Sequence, residues 1–359
     1  MDIPTKCFAI VIGAGPNGLY ALSKLCESFP NETIIGIDKG EVCNNFYDYP
    51  NVTFHSTFEE IRFDNYIYDS LSLKDRPNTL ELLNYYLSYK NNKNLQIYEE
   101  MEMTNITKNC DGTYNIKIKY DSRIISIMTK NVILATGMYD TPNYLGIQEE
   151  RTNKKITHYC FDYNENNFTL IIVGNGNSAA DSIIKLIASN KIHWIIRDNN
   201  LDIGQKIHSS INDKLQLALE KYKENITIYY NSTVIDAFGD KLYFQSNDEY
   251  HLIEFDKCYL LTGYKIDQKF FKKMGFTFLK GCFKYDDSSM ECQNMPNIYL
   301  FGLISCQFCP ITRQIKDKLI KDNGLASITN LINNIKRKFT ISPSSGLLIT
   351  HYQKAMQFG

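Results

Sequence analysis

Three glycines near the amino terminus have the spacing that a phosphate-binding turn requires. They are Gly13, Gly15 and Gly18, with Pro16 and Asn17 just before the third. In such a segment the first glycine makes a tight turn, the second lets the backbone approach a pyrophosphate, and the third lets the following helix pack closely on the strand. The spacing therefore predicts that this segment binds the pyrophosphate of a dinucleotide.

The elements around this segment fit a dinucleotide-binding unit. We expect Phe8–Ile12 to be a buried strand, Gly18–Ser28 a helix, and Thr33–Ile37 the next strand. The helix would direct its amino-terminal N–H groups and the positive end of its dipole at the phosphates. Asp38 follows the next strand, 20 residues after the third glycine, at the distance where an acid bonds a ribose hydroxyl. Lys39 comes directly after it, and both are included in the predicted binding site.

A second glycine segment lies about 160 residues further along and follows the predicted strand Leu170–Val173, which indicates a duplicated dinucleotide-binding unit. Ser178 or Ala179 stands where the third glycine would be, and either is small enough for helix and strand to pack. The predicted helix is Asn177–Ser189, and its first polar side chains can cap it or contact a bound group. The predicted nucleotide-binding residues of this segment are Gly174, Gly176, Asn177 and Ser178.

The strand after the second segment, His193–Ile196, ends in Arg197 and not in an acid. A carboxylate there would repel the 2′-phosphate of NADPH, whereas a guanidinium can bind that phosphate with two hydrogen bonds. Arg197 therefore favours NADPH over NADH as the second cofactor. The alternative is a surface arginine whose stem packs along the end of the strand.

Strand-like and helix-like segments alternate in both halves of the chain, which predicts an α/β fold with parallel sheets. Thr79–Tyr89 has helical spacing. Residues 98–130 alternate apolar and polar side chains, which predicts a small antiparallel meander, and Asn131–Ala135 is predicted to be a separate buried strand. Ile298–Phe301 is a late strand, followed by a helix-like stretch to about residue 338.

Composition excludes several classes of protein. The 359 residues include 39 basic and 40 acidic side chains, so no field of one sign favours nucleic acid or a membrane surface. A membrane-spanning helix needs about 20 apolar residues in a row, and no run approaches that length. The first residues lack the apolar core of a signal peptide, which favours a cytoplasmic protein. The 10 cysteines are scattered, as buried thiols in a reducing compartment are.

Two further predicted strands end in Thr-Gly, at Thr136-Gly137 and at Thr262-Gly263. Such turns bring the backbone against a dinucleotide and carry the chain into the other unit. Near the end, Met295–Leu303 resembles the strand that closes the flavin site in flavoproteins with two dinucleotide-binding domains.

Together these segments resemble the thioredoxin-reductase-like and flavin-monooxygenase-like flavoproteins, and in particular the bacillithiol disulfide reductase group. The resemblance also rests on Tyr47–Pro50, on Gly137–Tyr144 and on Asp181 in the second helix, and it covers the chain to about residue 335.

The resemblance implies two Rossmann-like, three-layer domains, one holding FAD and the other a nicotinamide nucleotide. The FAD domain is then discontinuous, with residues 1–150 and 285–340 on either side of an inserted NAD(P)H domain at 151–284. Residues 341–359 form a tail of no assigned role. Relatives of this layout are often dimers, so a homodimer is expected. The residues placed near the flavin ring are Asn44, Asn45, Phe46 and the stretch Thr53–Ser56, which includes His55.

Two positions depart from the family pattern. The bacillithiol reductases carry a cysteine for thiol chemistry just before the third glycine, where this chain has Asn17. Their mechanism therefore does not carry over at that position. The acid that commonly bonds the ribityl chain after the late glycine is also missing, because Leu303 occupies its place; a backbone N–H of Gly302 or Leu303 can still bond the flavin.

Three cysteines are candidates for redox chemistry. Cys160 matches the second sulfur of the Cys-x-x-Cys that thioredoxin reductases place before the second glycine segment, and the alternative is a buried inert thiol. Cys306 and Cys309 form the only Cys-x-x-Cys and can oxidise to a disulfide if they begin a helix; the alternative is a pair of loop cysteines. A zinc site would need a second such pair, so no metal is predicted.

His55 and His158 are candidates for proton handling, because histidine titrates near neutrality. The predicted activity is hydride transfer from NADPH through FAD to a small acceptor, with a low-molecular-weight disulfide implied by the resemblance. A flavin monooxygenase is the alternative enzyme. Its usual signature around the second histidine fails, since Thr152, Lys154 and Asp162 occupy the aligned positions. A flavin-binding redox sensor or scaffold is a non-enzymatic alternative.

Overall fold

The structure is a computed structural model, and it describes residues 3–48, 52–54, 56–64, 66–160, 163–201, 207–305 and 324–341. Within these ranges no helix has both the length and the apolar content needed to cross a membrane.

The described chain forms 21 strands and eight α-helices, with two short 3₁₀ segments at Lys223–Asn225 and Gly302–Ser305. The strands are β1 Lys6–Ile12, β2 Ile34–Ile37, β3 Ile97–Tyr98, β4 Met101–Lys108, β5 Tyr114–Tyr120, β6 Arg123–Leu134, β7 Thr141–Pro142, β8 Ile156–Thr157, β9 Thr169–Val173, β10 Lys191–Ile195, β11 Ile226–Tyr229, β12 Ser232–Phe238, β13 Lys241–Ser246, β14 Glu249–Glu254, β15 Lys257–Leu260, β16 Tyr264–Lys265, β17 Phe278–Leu279, β18 Cys282–Phe283, β19 Tyr285–Asp286, β20 Glu291–Cys292 and β21 Ile298–Leu300. The helices are α1 Pro16–Ser28, α2 Asn45–Asp48, α3 Phe58–Ile61, α4 Thr79–Asn92, α5 Asn177–Leu186, α6 Ser209–Lys221, α7 Gln268–Lys273 and α8 Leu325–Ile341.

The first sheet takes its strands from both ends of the chain. Its order is β19-β20-β21-β6-β1-β2-β3, and β4 and β5 extend from β6 as an antiparallel meander. Strand β1 lies between β2 and β6, parallel to both, with Ile12 opposite Ile37 on one side and Leu134 on the other. The carboxyl ends of these three strands therefore meet at one edge, which is where ligands bind in open α/β sheets.

The second sheet is parallel throughout, in the order β11-β10-β9-β15-β8. A three-stranded antiparallel sheet, β12-β13-β14, covers one of its faces and helices α5 and α6 cover the other. Apolar side chains on alternate sides of β9 explain both layers, because Leu170 and Ile172 pack towards the helices while Ile171 and Val173 pack towards the antiparallel sheet. The first sheet likewise has a buried apolar cluster on each face.

Several boundaries differ from the sequence expectation by a few residues, and two of the differences have a structural cause. The third meander strand and the buried strand at 131–135 are one continuous strand, β6, whose outer half pairs with β5 and whose inner half pairs with β1. Helix α5 ends at Leu186 and not at Ser189, because the Asn190 side chain donates a hydrogen bond of 2.9 Å to the Leu186 carbonyl and satisfies the helix end. The late helix begins at Leu325.

Trp194, the single tryptophan, ties strand β10 to the second glycine turn. Its indole is fully buried, and Nε1 donates a hydrogen bond of 2.7 Å to the Gly174 carbonyl. A phenylalanine would keep most of the apolar contact and leave that partly buried carbonyl without its donor.

We predict that Trp194→Phe lowers the free energy of unfolding by about 1–2 kcal/mol. Urea unfolding followed by circular dichroism measures this. Tyr250→Phe, at a side chain that is 62% exposed, is the control and should leave stability unchanged. Equal stability of Trp194→Phe and the wild type would mean that the indole bond does not hold the turn.

Candidate functional site

The first glycine turn is set by close backbone approach. Gly13 has a φ of +101°, its N–H donates to the Ile37 carbonyl at 2.8 Å, and a Cβ on it would lie 2.6 Å from the Ala135 carbonyl oxygen. A Cβ on Gly18 would lie 1.8 Å from the Gly13 oxygen. Both positions therefore exclude any larger residue, as their predicted roles in the turn and in helix packing require.

Gly15 differs from its two neighbours in the turn. It is the N-cap of α1, with Pro16 following in the first turn, and no atom lies within 4 Å of the position that a Cβ would take. The open space is at the amino-terminal end of a 13-residue helix, where unpaired N–H groups and the helix dipole favour an anion. This open space could hold a phosphate group. Of the three glycines of the turn, Gly15 is the only one at which an added Cβ would meet no other atom.

Asp38 and Lys39 lie at the end of β2, beside this turn. The Asp38 carboxylate accepts hydrogen bonds from the N–H groups of Ala14 at 2.6 Å and Gly40 at 2.9 Å. Burial raises the pKa of Asp38, and these two N–H groups partly offset the shift. Lys39 forms a half-exposed ion pair with Asp140 at 2.8 Å, which links the end of β2 to the loop after β6.

Asn17 meets the late strand at Gly302. Gly302 has a φ of +78°, and a Cβ on it would lie 2.6 Å from the Cβ of Asn17, so the two residues are in close contact. The Oδ1 atom of Asn17 is buried and has no hydrogen-bond partner among the described residues. Leu303 follows Gly302 in a short 3₁₀ turn. The structure thus places Asn17 against the glycine that precedes Leu303, the other position at which the sequence departs from the family pattern.

Phe46 and Phe54, two of the residues predicted to lie near the flavin ring, pack in a small group of aromatic side chains. Asn45 and Phe46 are in α2, and the Phe46 ring stacks on Phe54 with centroids 5.9 Å apart and meets Tyr86 edge-on at 5.6 Å. His55 lies outside the described residues. Cys43, which the sequence patterns did not single out, also contacts the first glycine turn, because its N–H donates to the Ala14 carbonyl at 3.1 Å.

The second glycine turn repeats the close approach of the first. Gly174 has a φ of +138°, its N–H donates to the Ile195 carbonyl at 3.1 Å, and a Cβ on it would lie 2.3 Å from the Leu261 carbonyl oxygen. Gly176 is the N-cap of α5. Asn177 and Ser178 are exposed in the first turn of this helix, and the Asn177 side chain accepts a hydrogen bond from the His208 N–H at 2.7 Å.

Asn175 is the residue of this turn that sequence reasoning passed over. Its Nδ2 donates to the Asp198 carboxylate and to the Asn200 carbonyl, each at 3.0 Å, and its Oδ1 is buried with no partner in the described part of the chain. A polar side chain between two glycines was the available signal. The contact fixes the loop after β10 against the turn.

The register of the two turns corrects the alignment of Arg197. Gly13 donates to Ile37 and Gly174 donates to Ile195, so the position of Asp38 is occupied by buried Ile196 in the second unit. Arg197 is exposed and stands one residue later, at the position of Lys39. The second unit therefore has no carboxylate where the first has Asp38.

The short strands that follow the two Thr-Gly turns pair where the chain crosses between the sheets. Strands β7 and β16 pair antiparallel, the Thr262 hydroxyl donates to the Asn143 carbonyl at 2.9 Å, and Asn143 N–H donates to the Gly263 carbonyl at 2.9 Å. Gly137 and Gly263 have φ values of +67° and +80°, which glycine adopts without strain. Thr136 lies two residues after the end of β6, at the same edge as the first glycine turn.

His158 is buried beside this crossing. Its Nδ1 lies 3.1 Å from the Leu260 carbonyl, and its ring meets Tyr144 edge-on at 5.0 Å. Glu150, whose carboxylate accepts the N–H groups of a nearby loop, lies 3.4 Å from Nε2. Burial lowers the pKa of His158, which favours the neutral ring, and its Nδ1 can then donate to the Leu260 carbonyl at the crossing.

Cys160 is part of the apolar core between the second sheet and its helices. Burial raises the pKa of its thiol to about 11. A thiol that stays protonated at neutral pH is a poor nucleophile, so the geometry agrees with the inert alternative. Cys306 and Cys309 lie outside the described residues.

Four buried side-chain nitrogen or oxygen atoms have no hydrogen-bond partner within the described part of the chain. Two of them, Asn17 Oδ1 and Asn175 Oδ1, belong to the two glycine turns. Buried polar atoms are normally paired, and a dinucleotide carries hydroxyl donors that can pair them. The residues present therefore fit a dinucleotide at each turn.

The sequence profile of the pyridine nucleotide-disulphide oxidoreductase family matches residues 10–302, which contain both glycine turns and both sheets. The chain belongs to this family. Its members use a flavin and a pyridine nucleotide, and the chain is an oxidoreductase that uses both.

Two of the similar proteins fall in one functional group. Bacilliredoxin reductase of Bacillus subtilis is 26% identical over 303 residues, which is 83% of this chain and 89% of the relative. The solved structure of bacillithiol disulfide reductase from Bacillus cereus has a TM-score of 0.81 at 23% identity and covers 92% of this chain and 99% of its own.

The thioredoxin reductase of T. acidophilum has a TM-score of 0.67 at 20% identity, covering 92% of this chain and 99% of its own. These likenesses confirm the predicted fold class of two Rossmann-like units and the predicted resemblance to thioredoxin-reductase-like flavoproteins.

We predict that two alanine substitutions in the first turn change different properties, one the affinity for FAD and the other the stability of the protein. Gly15→Ala should leave the stability of the flavin-free protein unchanged and weaken FAD binding by about tenfold or more, or about 1.4 kcal/mol, because its methyl group enters open space needed by the phosphates. Gly18→Ala should destabilise the protein itself, because its Cβ overlaps the Gly13 carbonyl. Thermal unfolding and fluorescence titration with FAD separate the two. Unchanged FAD affinity in Gly15→Ala would contradict the assignment.

We also predict that Cys160 is unreactive in the native protein. Iodoacetamide at pH 8 should alkylate exposed Cys110 and leave Cys160 unmodified until the protein is unfolded, because the buried thiol is protonated. Peptide mass spectrometry of the alkylated protein measures both sites. Rapid native modification of Cys160 would return it to the set of catalytic candidates.

Proposed function

We propose that this chain takes hydride from NADPH, passes the electrons through FAD and reduces a small disulfide. The supporting observation is the pair of glycine turns, each packed against a strand end and each with a buried amide oxygen, of Asn17 and of Asn175, that no described residue pairs. The overall reaction consumes NADPH, one proton and one disulfide and yields NADP⁺ and two thiols. The second proton needed by the thiols is the hydrogen carried by the hydride.

The proposed division of labour follows the two sheets. Residues 1–150 and 285–340 would form the FAD domain, since β1, β2, β6 and β21 lie side by side in one sheet. Residues 151–284 would form the nicotinamide domain around the second sheet. No role is assigned to residues 341–359.

In the FAD domain the chain's own groups would bind and orient the cofactor. The N–H groups at the start of α1 would hold the pyrophosphate in the open space at Gly15. The Asp38 carboxylate retains acceptor capacity for a ribose hydroxyl beside its two N–H donors. When bound, the flavin accepts hydride and delivers electrons to the acceptor. The remaining proposed contacts are Lys39, Asn45, Phe46, His55, Thr136, Gly137, Gly302 and Leu303.

The choice of NADPH is supported by the loop after β10. Buried Ile196 stands where the first unit has Asp38, so no carboxylate at that position repels a 2′-phosphate. Arg197 is exposed next to it and can approach the phosphate with two N–H groups. The turn residues Gly174, Gly176, Asn177 and Ser178, with Thr262 and Gly263 at the facing strand end, would bind the rest of this nucleotide.

The disulfide acceptor is proposed from the relatives, whose names state that they reduce bacilliredoxin or bacillithiol disulfide. Bacillithiol disulfide is accordingly the first acceptor to test. Asn17 cannot form a mixed disulfide, so no step is assigned to a thiol at that position. Thiol chemistry at Cys306 and Cys309 stays a prediction from the sequence.

Anaerobic turnover tests the proposal. NADPH oxidation, followed at its absorbance maximum with bacillithiol disulfide and no oxygen, should proceed and release two thiols per NADPH. Oxidation that requires oxygen and yields an oxygenated product would favour a monooxygenase. Binding of NADPH with no turnover under either condition would favour a redox sensor, and both results would overturn the proposal.

We predict that Arg197→Ala raises the KM for NADPH about tenfold or more and leaves the KM for NADH nearly unchanged, because only NADPH carries the 2′-phosphate. Steady-state kinetics with both nucleotides measures the effect. Lys191→Ala removes an exposed cation from the opposite end of β10 and is the matched control, with no effect expected. Equal changes for both nucleotides in Arg197→Ala would refute the phosphate contact.

A further inference from the structure

We propose that Asn175 is a positioning residue that sets nucleotide preference by holding the Asp198 carboxylate against the second glycine turn. This inference rests on the proposed function, since it concerns the site at which NADPH would bind. It assigns a role to a side chain that lies inside the turn and outside the strand end where nucleotide preference was predicted.

Asp198 is held on two sides. Its carboxylate oxygen Oδ2 accepts a hydrogen bond of 3.0 Å from Asn175 Nδ2, and its backbone carbonyl accepts one of 3.0 Å from the Asn231 N–H. The second hydrogen of the same Nδ2 reaches the Asn200 carbonyl at 3.0 Å. One amide group therefore bonds both the Asp198 carboxylate and a backbone carbonyl of the loop.

The position of the Asp198 carboxylate matters because its negative charge lies next to Arg197 in the sequence. Arg197 and Asp198 are adjacent in the loop that would face the adenosine ribose, so an attracting cation and a repelling anion lie one residue apart. A carboxylate free to turn towards the ribose would accept hydrogen bonds from the two hydroxyls of NADH and repel the 2′-phosphate of NADPH. Holding the carboxylate at the turn removes this competition and leaves the phosphate to the guanidinium.

The first unit shows what Asn175 replaces. Ala14 occupies the equivalent position after the first glycine, and its backbone N–H holds the acid Asp38 directly. In the second unit the acid comes two residues later in the register, and a side chain with an N–H donor spans the added distance. Alanine at position 175 would have no side-chain donor to span this distance.

The other half of the Asn175 amide acts on both nucleotides alike. Its Oδ1 is buried, is paired by no residue that the structure describes, and can accept from a ribose hydroxyl that NADP⁺ and NAD⁺ both carry. Loss of this acceptor would weaken the two nucleotides equally. Loss of the Nδ2 donor would weaken only the phosphorylated one, so the ratio of the two affinities isolates the positioning role.

Nucleotide titrations of the flavin-loaded protein test the inference. Dissociation constants for NADP⁺ and NAD⁺ are measured by calorimetry for the wild type, Asn175→Ala, Asp198→Asn and the double variant. We expect Asn175→Ala to raise the ratio of the NADP⁺ constant to the NAD⁺ constant about five- to tenfold, the scale of a screened repulsion between a carboxylate and a phosphate. Adding Asp198→Asn to Asn175→Ala should return the ratio to near the wild-type value, because the repelling charge is gone.

The contrary outcomes are distinct. An unchanged ratio in Asn175→Ala, or a raised ratio that Asp198→Asn does not restore, would overturn the role of Asn175. A wild-type protein that binds NAD⁺ more tightly than NADP⁺ would refute the choice of NADPH. The change of ratio in Asn175→Ala would still decide the positioning role, because it is measured relative to the wild type.

Discussion

The structure depends on two places where one backbone passes so close to another that no side chain fits between them. At Gly13 a Cβ would meet the Ala135 carbonyl, and at Gly174 it would meet the Leu261 carbonyl. Each contact brings a glycine turn against the end of the neighbouring parallel strand, at the edge where a sheet binds ligands. A Thr-Gly turn follows each of these neighbouring strands. The close backbone approach that shapes each glycine turn therefore also sets where the chain crosses between the two units.

The units share this geometry and differ in how they hold charge. In the first, a backbone N–H holds the acid Asp38, and the nearby lysine is paired with Asp140. In the second, the Asn175 side chain holds Asp198, and Arg197 is exposed. We propose that the first arrangement binds ribose hydroxyls and the second a 2′-phosphate, so that one repeated fold would bind two cofactors with different roles in electron transfer.

Sequence reasoning could predict the features that depend on local chemistry. The glycine spacing predicted both turns, because only glycine fits where two backbone segments approach so closely. The alternation of strand-like and helix-like segments predicted the α/β class that the comparisons confirm. Contacts across the fold were out of reach. The register that moves Arg197 one residue beyond the position of Asp38, and the bond from Asn175 to Asp198, depend on how strand β10 pairs with β9. Burial, which raises the pKa of the Cys160 thiol, is likewise a property of the packed core.

The central claim is that one chain binds two different dinucleotides in two separate cradles. Its most direct test measures both in one sample: the flavin released on denaturation of the purified protein and the NADP⁺ bound per chain by calorimetry. The account predicts one FAD and one NADP⁺ per chain, with NADP⁺ affinity unaffected by added FAD. Absence of flavin even after reconstitution, or competition between FAD and NADP⁺ for a single site, would contradict it.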